Sequence, residues 1–288
     1  MIGEPSLLLG LIGAGIQGSL TPALHEHEAG AQGLRCLYRL IDLDRLGLGG
    51  DALAELLTAA ERMGFTGLNI TYPCKQTVIP LLHALSDEAR ALGAVNTVVL
   101  RDGRRIGHNT DCFGFADNVR RHFGDFADAS VVQLGAGGAG AAVAYATLTL
   151  GARHLALFDI DAARAARLAA DLTARFGAGR AAAVADPGAA LAAADGLVNT
   201  TPIGMEKLPG LPLDAAFLRP ALFVADIIYV PIETALLAGA RACGCRTLDG
   251  GGMAVAQAAE AFRLFSGRAA DLDRLDRHFA TLRQARSA

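Results

Sequence analysis

The sequence contains no tryptophan, and aromatic residues make up only 6% of its 288 residues. It has no block of lysines and arginines, and its formal net charge is −3, which argues against sequence-independent binding to nucleic acid. No apolar stretch reaches the length of a membrane span without a polar break. The first residues lack a basic segment followed by an apolar core, so we expect no secretory signal.

The cysteines are few, odd in number and scattered. None forms a C-x-x-C pair, which argues against a disulfide framework and against a structural zinc site, and no metal site is predicted. Cys243-x-Cys245 is interpreted as ordinary packing. A reducing, cytoplasmic location is therefore expected. The five cysteines are Cys36, Cys74, Cys112, Cys243 and Cys245.

Hydrophobic residues make up 52% of the chain, and charged residues make up 19%. Buried parallel strands combined with alanine-rich helices produce this bias. The length suits two domains, although one large domain is an alternative.

One stretch has the pattern of a dinucleotide-binding turn. Ser130–Leu134 is typical of a buried strand and leads into G-x-G-x-x-G at Gly135, Gly137 and Gly140. An uncharged helix pattern follows up to Gly151. The first glycine allows a tight turn, the second lets backbone approach a pyrophosphate, and the third lets helix and strand pack closely. The N–H groups at the helix start then face the phosphates.

The next strand pattern, His154–Phe158, ends at Asp159, which lies 19 residues after Gly140. An acidic side chain there can accept hydrogen bonds from the adenosine ribose, and it repels a 2′-phosphate. The spacing therefore favours NAD over NADP as the cofactor. Arg164 weakens this inference, because an arginine nearby can accommodate a 2′-phosphate or can instead lie over the adenine.

A second glycine pattern, Gly13–Gly18, also satisfies G-x-G-x-x-G, and Asp42 follows near the end of the second predicted strand. Two dinucleotide sites are thus one interpretation. However, the helix is expected to start only at Thr21-Pro22, with Thr21 as its N-cap. The hydroxyls of Ser19 and Thr21 would then stand at the mouth of a loop, which suits a small anion such as a carboxylate.

The first predicted helix carries the run His25–Glu28, which looks like a metal-binding motif. It is not H-E-x-x-H, because position 29 is alanine. Side chains two positions apart point to different sides of a helix. We therefore expect this run to form a solvated helix face.

Polar residues follow the third predicted strand, Gly67–Thr71, which stops before Pro73. Thr71 and Lys75 then lie at the carboxyl edge of the sheet, where ligands bind in open α/β folds. Taken alone, Lys75 is also compatible with a solvated lysine at a helix start.

A hairpin is predicted from 95–100 and 105–109 around an Asp-Gly turn, which would place an antiparallel strand in a parallel sheet. A helix over 114–123 is expected to follow Asp111, where we place the first domain boundary. Hydride transfer between an alcohol and a ketone also needs a group that exchanges the hydroxyl proton. Lys75 and Asp111 are candidates, with His108 as a rival whose side chain should point away from that of its neighbour Asn109.

Strand and helix patterns alternate up to residue 248, which predicts a parallel sheet with right-handed crossovers. Polar stretches containing proline, 199–202 and 226–231, end two of these strands on the edge that carries the phosphate turn. A helix carrying Gln257 is predicted to open at 250–253, and a last helix covers roughly 271–283. The strand patterns are 181–184, 196–199, 222–225 and 246–248.

Nine segments in chain order resemble motifs of the shikimate/quinate dehydrogenase family, and together they span nearly the whole chain. They are Gly18–Pro22, Asn69–Lys75, Gly93–Thr97, Gly107–Asp111, Gly135–Ala139, Asn199–Met205, Asp226–Pro231, Gly252-Met253 and Gln257.

The resemblance implies an α/β protein of two domains with a cleft between them. One is an open, mostly parallel α/β substrate domain formed by residues 1–112 and 254–288. The other is a Rossmann-type dinucleotide-binding domain formed by residues 113–253. The protein is expected to act on a small molecule as a monomer or homodimer.

The resemblance also implies roles for individual residues. Lys75 and Asp111 would form the catalytic pair at the hydroxyl that becomes a ketone. The substrate-binding residues would be Ser19 and Thr21 at the carboxylate, Tyr229 near it, and Thr71, Lys75, Asn96, Asp111 and Gln257 at the ring hydroxyls. The cofactor-binding residues would be Gly135, Ala136, Gly137, Gly138, Ala139, Asp159, Arg164, Thr201, Pro202, Met205, Ile228, Gly252 and Met253.

Two departures from the commonest family pattern resemble its NAD-dependent quinate/shikimate branch. The carboxylate-binding element is Ser19-Leu20-Thr21 rather than a pair of serines, and Asp159-Ile160-Asp161 replaces Asn-Arg-Thr. The expected reaction is the NAD-dependent, reversible oxidation of a ring hydroxyl of quinate or shikimate to the 3-keto product. The alternatives are an NADP-dependent biosynthetic shikimate dehydrogenase, a relative acting on an amino-substituted ring, and a non-catalytic nucleotide sensor.

Overall fold

The structure is a computed structural model that describes residues 6–287, without the side chains of residues 286 and 287. The outermost residues of the predicted substrate domain, 1–5 and 288, therefore lie outside it. The chain divides into two compact units, Met1–Thr110 with Val255–Ala288, and Asp111–Ala254. The predicted domain boundaries lie one or two residues from the boundaries of these units. The roles of the two units in binding substrate and cofactor stay predictions.

Strands and helices alternate along the chain, and short 3₁₀ turns occur at Gly50–Ala52, Ile79–Leu81 and Ala215–Phe217. Within residues 6–287, no helix is both long enough and apolar enough to cross a membrane. The strands are β1 (Ser6–Gly13), β2 (Arg35–Asp42), β3 (Gly67–Ile70), β4 (Ala84–Leu85), β5 (Thr97–Arg101), β6 (Arg104–His108), β7 (Ser130–Leu134), β8 (His154–Phe158), β9 (Ala181–Ala183), β10 (Gly196–Asn199), β11 (Phe223–Asp226) and β12 (Arg246–Leu248). The helices are α1 (Thr21–Ala31), α2 (Leu43–Leu46), α3 (Leu53–Arg62), α4 (Asp87–Leu92), α5 (Thr110–Phe123), α6 (Gly138–Thr149), α7 (Ala162–Phe176), α8 (Pro187–Leu191), α9 (Ala235–Ala242), α10 (Gly251–Ser266) and α11 (Leu272–Ser287).

The sheet of the first unit has the strand order β2-β1-β3-β5-β6-β4. β1 pairs in parallel with β2 and β3, β3 and β5 are antiparallel, and β5 and β6 form the predicted antiparallel hairpin. Asp102 and Gly103 at the hairpin turn have φ of 52° and 68°. Positive φ at both positions is the signature of a type I′ turn, which the Asp-Gly pair allows.

β1 is the central element of this unit because both of its faces are buried. Leu9 and Leu11 pack in a cluster with Phe262 of α10, while Ile12 packs in a separate cluster with Leu68. A strand buried on both faces must be apolar throughout, which explains the continuous apolar run.

The exposed face predicted for His25–Glu28 is wrong at two of its four positions. His25 and Glu28 are 1% and 0% exposed, whereas Glu26 and His27 are exposed. The His25 ring lies among aromatic rings, with its centroid 5.2 Å from that of Tyr38. His25 and Glu28 are buried by residues of α10 and α11, more than 200 residues later in the chain. A local sequence pattern therefore could not predict their burial.

We expect His25 to make the protein less stable in acid. Burial lowers the pKa of His25 from 6.5 to about 3, and neither ring nitrogen has a hydrogen-bond partner among the described residues. The unfolded chain therefore binds a proton below pH 6.5 that the folded chain rejects, so stability falls as the pH falls. From pH 8 to pH 5 this group alone removes about 2 kcal/mol.

Urea unfolding of wild type and His25→Leu at pH 8 and pH 5 measures this contribution. Other titrating groups affect both proteins alike, so the difference between them isolates His25. The variant should lose about 2 kcal/mol less between the two pH values. An equal loss in both proteins would contradict the expected titration.

The sheet of the second unit has the order β12-β11-β10-β7-β8-β9, and every neighbouring pair is parallel. This is the strand order of a doubly wound dinucleotide-binding fold, with its switch point between β7 and β10. The predicted parallel sheet is confirmed. α5 begins at Thr110 and not at Gly114, so Asp111 lies in the first helical turn, where a negative charge is favourable.

Candidate active site

The glycine loop after β1 is closed by its own acidic residue. Asp42 is buried and accepts hydrogen bonds from Gly15 N at 3.1 Å, Ile16 N at 3.2 Å and Gln17 Nε2 at 2.8 Å. These bonds, the Gln17 one foremost, lower the pKa of Asp42. The Asp42 carboxylate therefore fixes the conformation of the loop that leads to Ser19.

Ser19 and Thr21 bring two hydroxyl groups together where α1 begins. The two oxygens are 3.0 Å apart, and Ser19 Oγ also accepts a hydrogen bond from Thr21 N at 3.2 Å. Leu20 occupies the N-cap position, so the prediction that Thr21 caps the helix is wrong by one residue. Hydroxyl donors at a helix N-terminus are suited to a carboxylate.

Lys75 lies in a turn whose backbone is tied to the sheet. Thr71 N donates to Ile12 O at 2.9 Å, and Cys74 N donates to Thr71 O at 2.8 Å. Val95 N donates to Lys75 O at 2.8 Å. Cys74 is fully buried and anchors the turn, while Lys75 is half-buried. The amine is thus carried on a fixed backbone at the carboxyl edge of the first sheet.

A buried hydrogen-bond network fixes Asn96. Its Oδ1 accepts from Thr110 N at 2.8 Å and Thr97 Oγ1 at 3.0 Å, and its Nδ2 donates to Thr110 Oγ1 at 3.0 Å. Asn69 Nδ2 donates to Thr97 Oγ1, and Tyr38 Oη donates to Asn69 Oδ1 at 2.7 Å. Sequence reasoning gave no role to these four neighbours, although three of them lie inside the family segments.

The structure gathers five of the predicted substrate residues on one edge of the first sheet. β1 and β3 run parallel and β5 runs the opposite way, so the ends of the first two strands and the start of the third meet at this edge. The five are Ser19, Thr21, Thr71, Lys75 and Asn96.

The other three predicted substrate-binding residues lie on other elements of the chain. Gln257 is half-buried on α10 in the first unit. Asp111, 4% exposed, is the first residue of the second unit and directly follows Thr110. Tyr229 is 37% exposed in the loop after β11.

The glycine turn after β7 has the tight turn and the close packing predicted for its first and third glycines. Gly135 has φ of +95°, which side chains disfavour. Gly137 is the exposed N-cap of α6, and no side chain caps this helix. A Cβ on Gly140 would lie 2.6 Å from Gly135 O, so the helix and the turn pack too closely for any other residue. Backbone N–H groups at such a helix start attract anions.

Asp159 is bound to the turn and to an arginine. Its Oδ2 accepts from Ala136 N at 2.8 Å, and its Oδ1 accepts from Asp161 N at 2.9 Å. The Arg164 guanidinium lies 3.6 Å from Asp159 and 3.5 Å from Asp161. The Asp159 side chain is 7% exposed and that of Arg164 is 49% exposed. Two carboxylates therefore face a single guanidinium.

A buried amide and carboxyl order the loops after β10 and β11. Asn199 Nδ2 donates to Asp226 Oδ1 at 3.1 Å, and Asn199 Oδ1 accepts from Thr201 N at 3.0 Å. Asp226 also accepts from Ile228 N and Thr234 Oγ1. Burial raises the pKa of Asp226 to about 6, against the effect of these three bonds. Sequence reasoning did not identify either residue as an organiser of the loops that carry Thr201 and Ile228.

The remaining predicted cofactor residues differ in exposure. Pro202 and Met205 are exposed, whereas Met253 is buried. A Cβ on Gly252 would clash with the buried Asn118 amide, so a larger residue there would have to displace that side chain. Asn118 Nδ2 donates to Asp249 O at 3.1 Å and so steadies the approach to α10.

The strand order and glycine turn of the second unit are those of dehydrogenases that use nicotinamide dinucleotides. A sequence model described as the shikimate dehydrogenase substrate binding domain matches residues 11–98. Together with a relative that is 58% identical over 94% of the chain, this match shows that the chain belongs to the shikimate dehydrogenase family. The predicted family, α/β fold class and oxidoreductase class acting on CH–OH groups are therefore confirmed.

The relatives differ in cofactor. The chain is 58% identical over 275 residues to shikimate dehydrogenase (NADP(+)) of Streptomyces avermitilis, with 94% of each chain covered. It is 50% identical over 280 residues to quinate/shikimate dehydrogenase (NAD(+)) of Corynebacterium efficiens, covering 96% and 99%. Its structure is similar to quinate dehydrogenase from Corynebacterium glutamicum in complex with NAD, with a TM-score of 0.91, 46% identity and coverage of 96% and 99%.

Proposed function

We propose that this chain is an NAD-dependent dehydrogenase that reversibly oxidises a ring hydroxyl of quinate or shikimate to the 3-keto product. The observation that carries the choice of cofactor is the charge around Asp159, where two carboxylates face one guanidinium. The free thiols of the cysteines accord with a cytoplasmic location, which stays a proposal, as does the monomeric or homodimeric state.

The charges at the end of β8 favour the cofactor that lacks a 2′-phosphate. The hydrogen bond from Ala136 N holds the Asp159 carboxylate beside the glycine turn. A ribose hydroxyl can donate to a carboxylate in this position, whereas a 2′-phosphate would be repelled by it. Arg164 is already shared between Asp159 and Asp161 and would have to leave both to bind a phosphate. The similar quinate dehydrogenase was solved with NAD, which also supports this choice.

The first unit supplies the groups that a polyhydroxylated ring acid needs. The hydroxyls of Ser19 and Thr21 would bind the carboxylate, and Thr71 and Asn96 would bind ring hydroxyls. The network around Asn96 fixes its amide before any ligand binds, which lowers the entropy lost on binding. Thr21 has a methyl group that serine lacks, and this methyl narrows the pocket without removing the hydroxyl.

We further propose that Lys75 and Asp111 handle the proton of the reacting hydroxyl. The nicotinamide ring, when bound, accepts the hydride. In the oxidation, the Lys75 amine accepts the hydroxyl proton, and in the reduction its ammonium returns one. Asp111 would stabilise the ammonium and orient the substrate. Because a neutral amine is needed for oxidation, that direction should be faster at alkaline pH.

The second candidate is an NADP-dependent shikimate dehydrogenase. The exposure of Arg164 favours it, because a half-exposed guanidinium can rotate towards a phosphate, and the 58% identical Streptomyces relative carries that activity in its name. Initial rates of the purified protein with quinate, shikimate and dehydroshikimate, each with NAD(H) and NADP(H), separate the candidates. A higher kcat/KM with NADP would refute the first proposal. No turnover with any ring substrate would favour the nucleotide sensor.

Asp159→Asn is expected to narrow the preference for NAD over NADP by about tenfold. The amide keeps an oxygen for Ala136 N but loses the charge, so repulsion of a 2′-phosphate falls and Arg164 is released. The ratio of kcat/KM for the two cofactors measures the effect. Asp171→Asn, exposed on the same helix that follows β8, is the matched control and should leave the ratio unchanged.

A further inference from the structure

We infer that Gln133 is a positioning residue that holds the glycine turn in its pyrophosphate-binding form. Gln133 is the fourth residue of β7 and is fully buried. Its Nε2 donates to Gly135 O at 2.9 Å and to Gly140 O at 2.9 Å. One side chain thus ties the first glycine of the turn to the third.

The amide is unusual in its position, which is the centre of a parallel sheet. β7 pairs with β8 on one side and β10 on the other, and its remaining buried residues, Val131, Val132 and Leu134, are aliphatic. Gln133 Oε1 has no hydrogen-bond partner among the described residues. A buried acceptor without a donor destabilises the folded chain. An aliphatic side chain would avoid that cost, so the reason for an amide lies in the two bonds of its nitrogen.

These bonds decide which backbone atoms of the turn face outward. An anion is attracted by N–H groups and repelled by carbonyl oxygens. The Thr200 hydroxyl shares its single proton between Leu134 O at 2.8 Å and Gly135 O at 3.0 Å. Gln133 in β7 and Thr200, directly after β10, therefore hold this oxygen inside the protein. The N–H groups at the start of α6, which have no acceptor within the helix, are left as the binding surface.

This inference rests on the proposed use of the glycine turn for the cofactor pyrophosphate. It differs from the role of Asp159, which concerns the adenosine ribose. Loss of the Gln133 amide should weaken every ligand that carries the pyrophosphate, whether or not a 2′-phosphate is present. The NAD to NADP ratio should stay constant, and a ligand that lacks phosphate should be unaffected.

Calorimetric titration of wild type and Gln133→Met with NAD, ADP and adenosine tests the assignment. Methionine has a similar length and shape but no N–H donor. We expect the Kd of NAD and of ADP to rise about tenfold and that of adenosine to change less than twofold. In steady state, KM for NAD should rise, while kcat and KM for the ring substrate stay within twofold.

Thr200→Val is the second variant, since it removes one donor to Gly135 O and leaves Gln133 in place. It should show the same pattern with a smaller rise, so the assignment remains testable if Gln133→Met does not fold. Equal weakening of ADP and adenosine in either variant would show a merely structural role and overturn the inference, as would unchanged NAD binding in both. If the wild type bound NADP but not NAD, the proposed cofactor would be refuted, while the inference about Gln133 would be unaffected. If the wild type bound ADP no more tightly than adenosine, the inference about Gln133 would be overturned, while the proposed cofactor would be unaffected.

Discussion

Lys75→Ala is expected to lower kcat for quinate or shikimate oxidation by about 10²- to 10⁴-fold, the range for loss of a general acid–base group. The Kd of NAD should change less than twofold. The backbone of the turn is held by Val95 N on Lys75 O and by buried Cys74, and none of these contacts needs the Lys75 side chain. The turn should therefore keep its conformation in the variant.

The measurement is turnover at saturating cofactor, together with NAD binding by calorimetry. Lys75 is one of two lysines in a chain whose lysines and arginines number 26. The other, Lys207, is exposed, so Lys207→Ala provides a control for the loss of a lysine. A kcat of Lys75→Ala within twofold of wild type would exclude Lys75 as the proton acceptor. Weakened NAD binding would instead indicate a disturbed fold.

The pH dependence of the residual rate separates proton transfer from substrate binding. In wild type, oxidation should accelerate towards alkaline pH, because this direction needs an unprotonated group that accepts the hydroxyl proton. Lys75→Ala should lose this rise, since the residual proton transfer goes to water. A small added amine should then restore part of the rate in the variant. If the variant kept the wild-type pH profile at a reduced rate, Lys75 would be a binding residue only.

Features encoded in short stretches of sequence could be predicted. The bounds of β8, β10 and β12 match the predicted runs, because each is a short segment between polar or glycine-containing turns. The glycine turn was predictable for the same reason, since Gly135 and Gly140 are required by local backbone geometry and close packing. Ser86, followed by Asp87 and Glu88, likewise has the local pattern of a helix N-cap, and it accepts from Ala89 N.

Features that depend on distant parts of the chain could not be predicted. The burial of His25 depends on α10, and that of Glu28 on α11. The organising role of Asp226 depends on its parallel pairing with Asn199, which only the sheet order reveals. Gln133 gives only a weak signal in the sequence, as one amide among the aliphatic residues that precede a glycine turn. Its partners, Gly135 O and Gly140 O, are brought to it only by the folded turn.

Arg274→Ala is expected to lower the free energy of unfolding by about 3 kcal/mol, because it leaves the Glu28 carboxylate buried without its cation. Arg274 Nη1 lies 3.1 Å from Glu28 Oε2, and Glu28 also accepts from Asp271 N at 2.9 Å and Gln32 Nε2 at 2.7 Å. Glu28 is fully buried, whereas the Arg274 side chain is 30% exposed. Water can therefore replace part of the lost interaction, which places the effect at the low end of the range for a broken buried pair.

The double variant Glu28→Leu/Arg274→Leu distinguishes the cost of an unpaired charge from the loss of packing between α1 and α11. Removing both charges should restore much of the stability, since a buried ion pair and an apolar pair of similar size are often close in free energy. Arg277→Ala, exposed on the same helix, should change stability by less than about 0.5 kcal/mol. Urea unfolding at pH 8 gives each value, and at that pH His25 titration does not contribute. If Arg274→Ala matched Arg277→Ala, the buried carboxylate would be stabilised by Asp271 N and Gln32 alone. The arginine would then contribute nothing to holding α11 on α1.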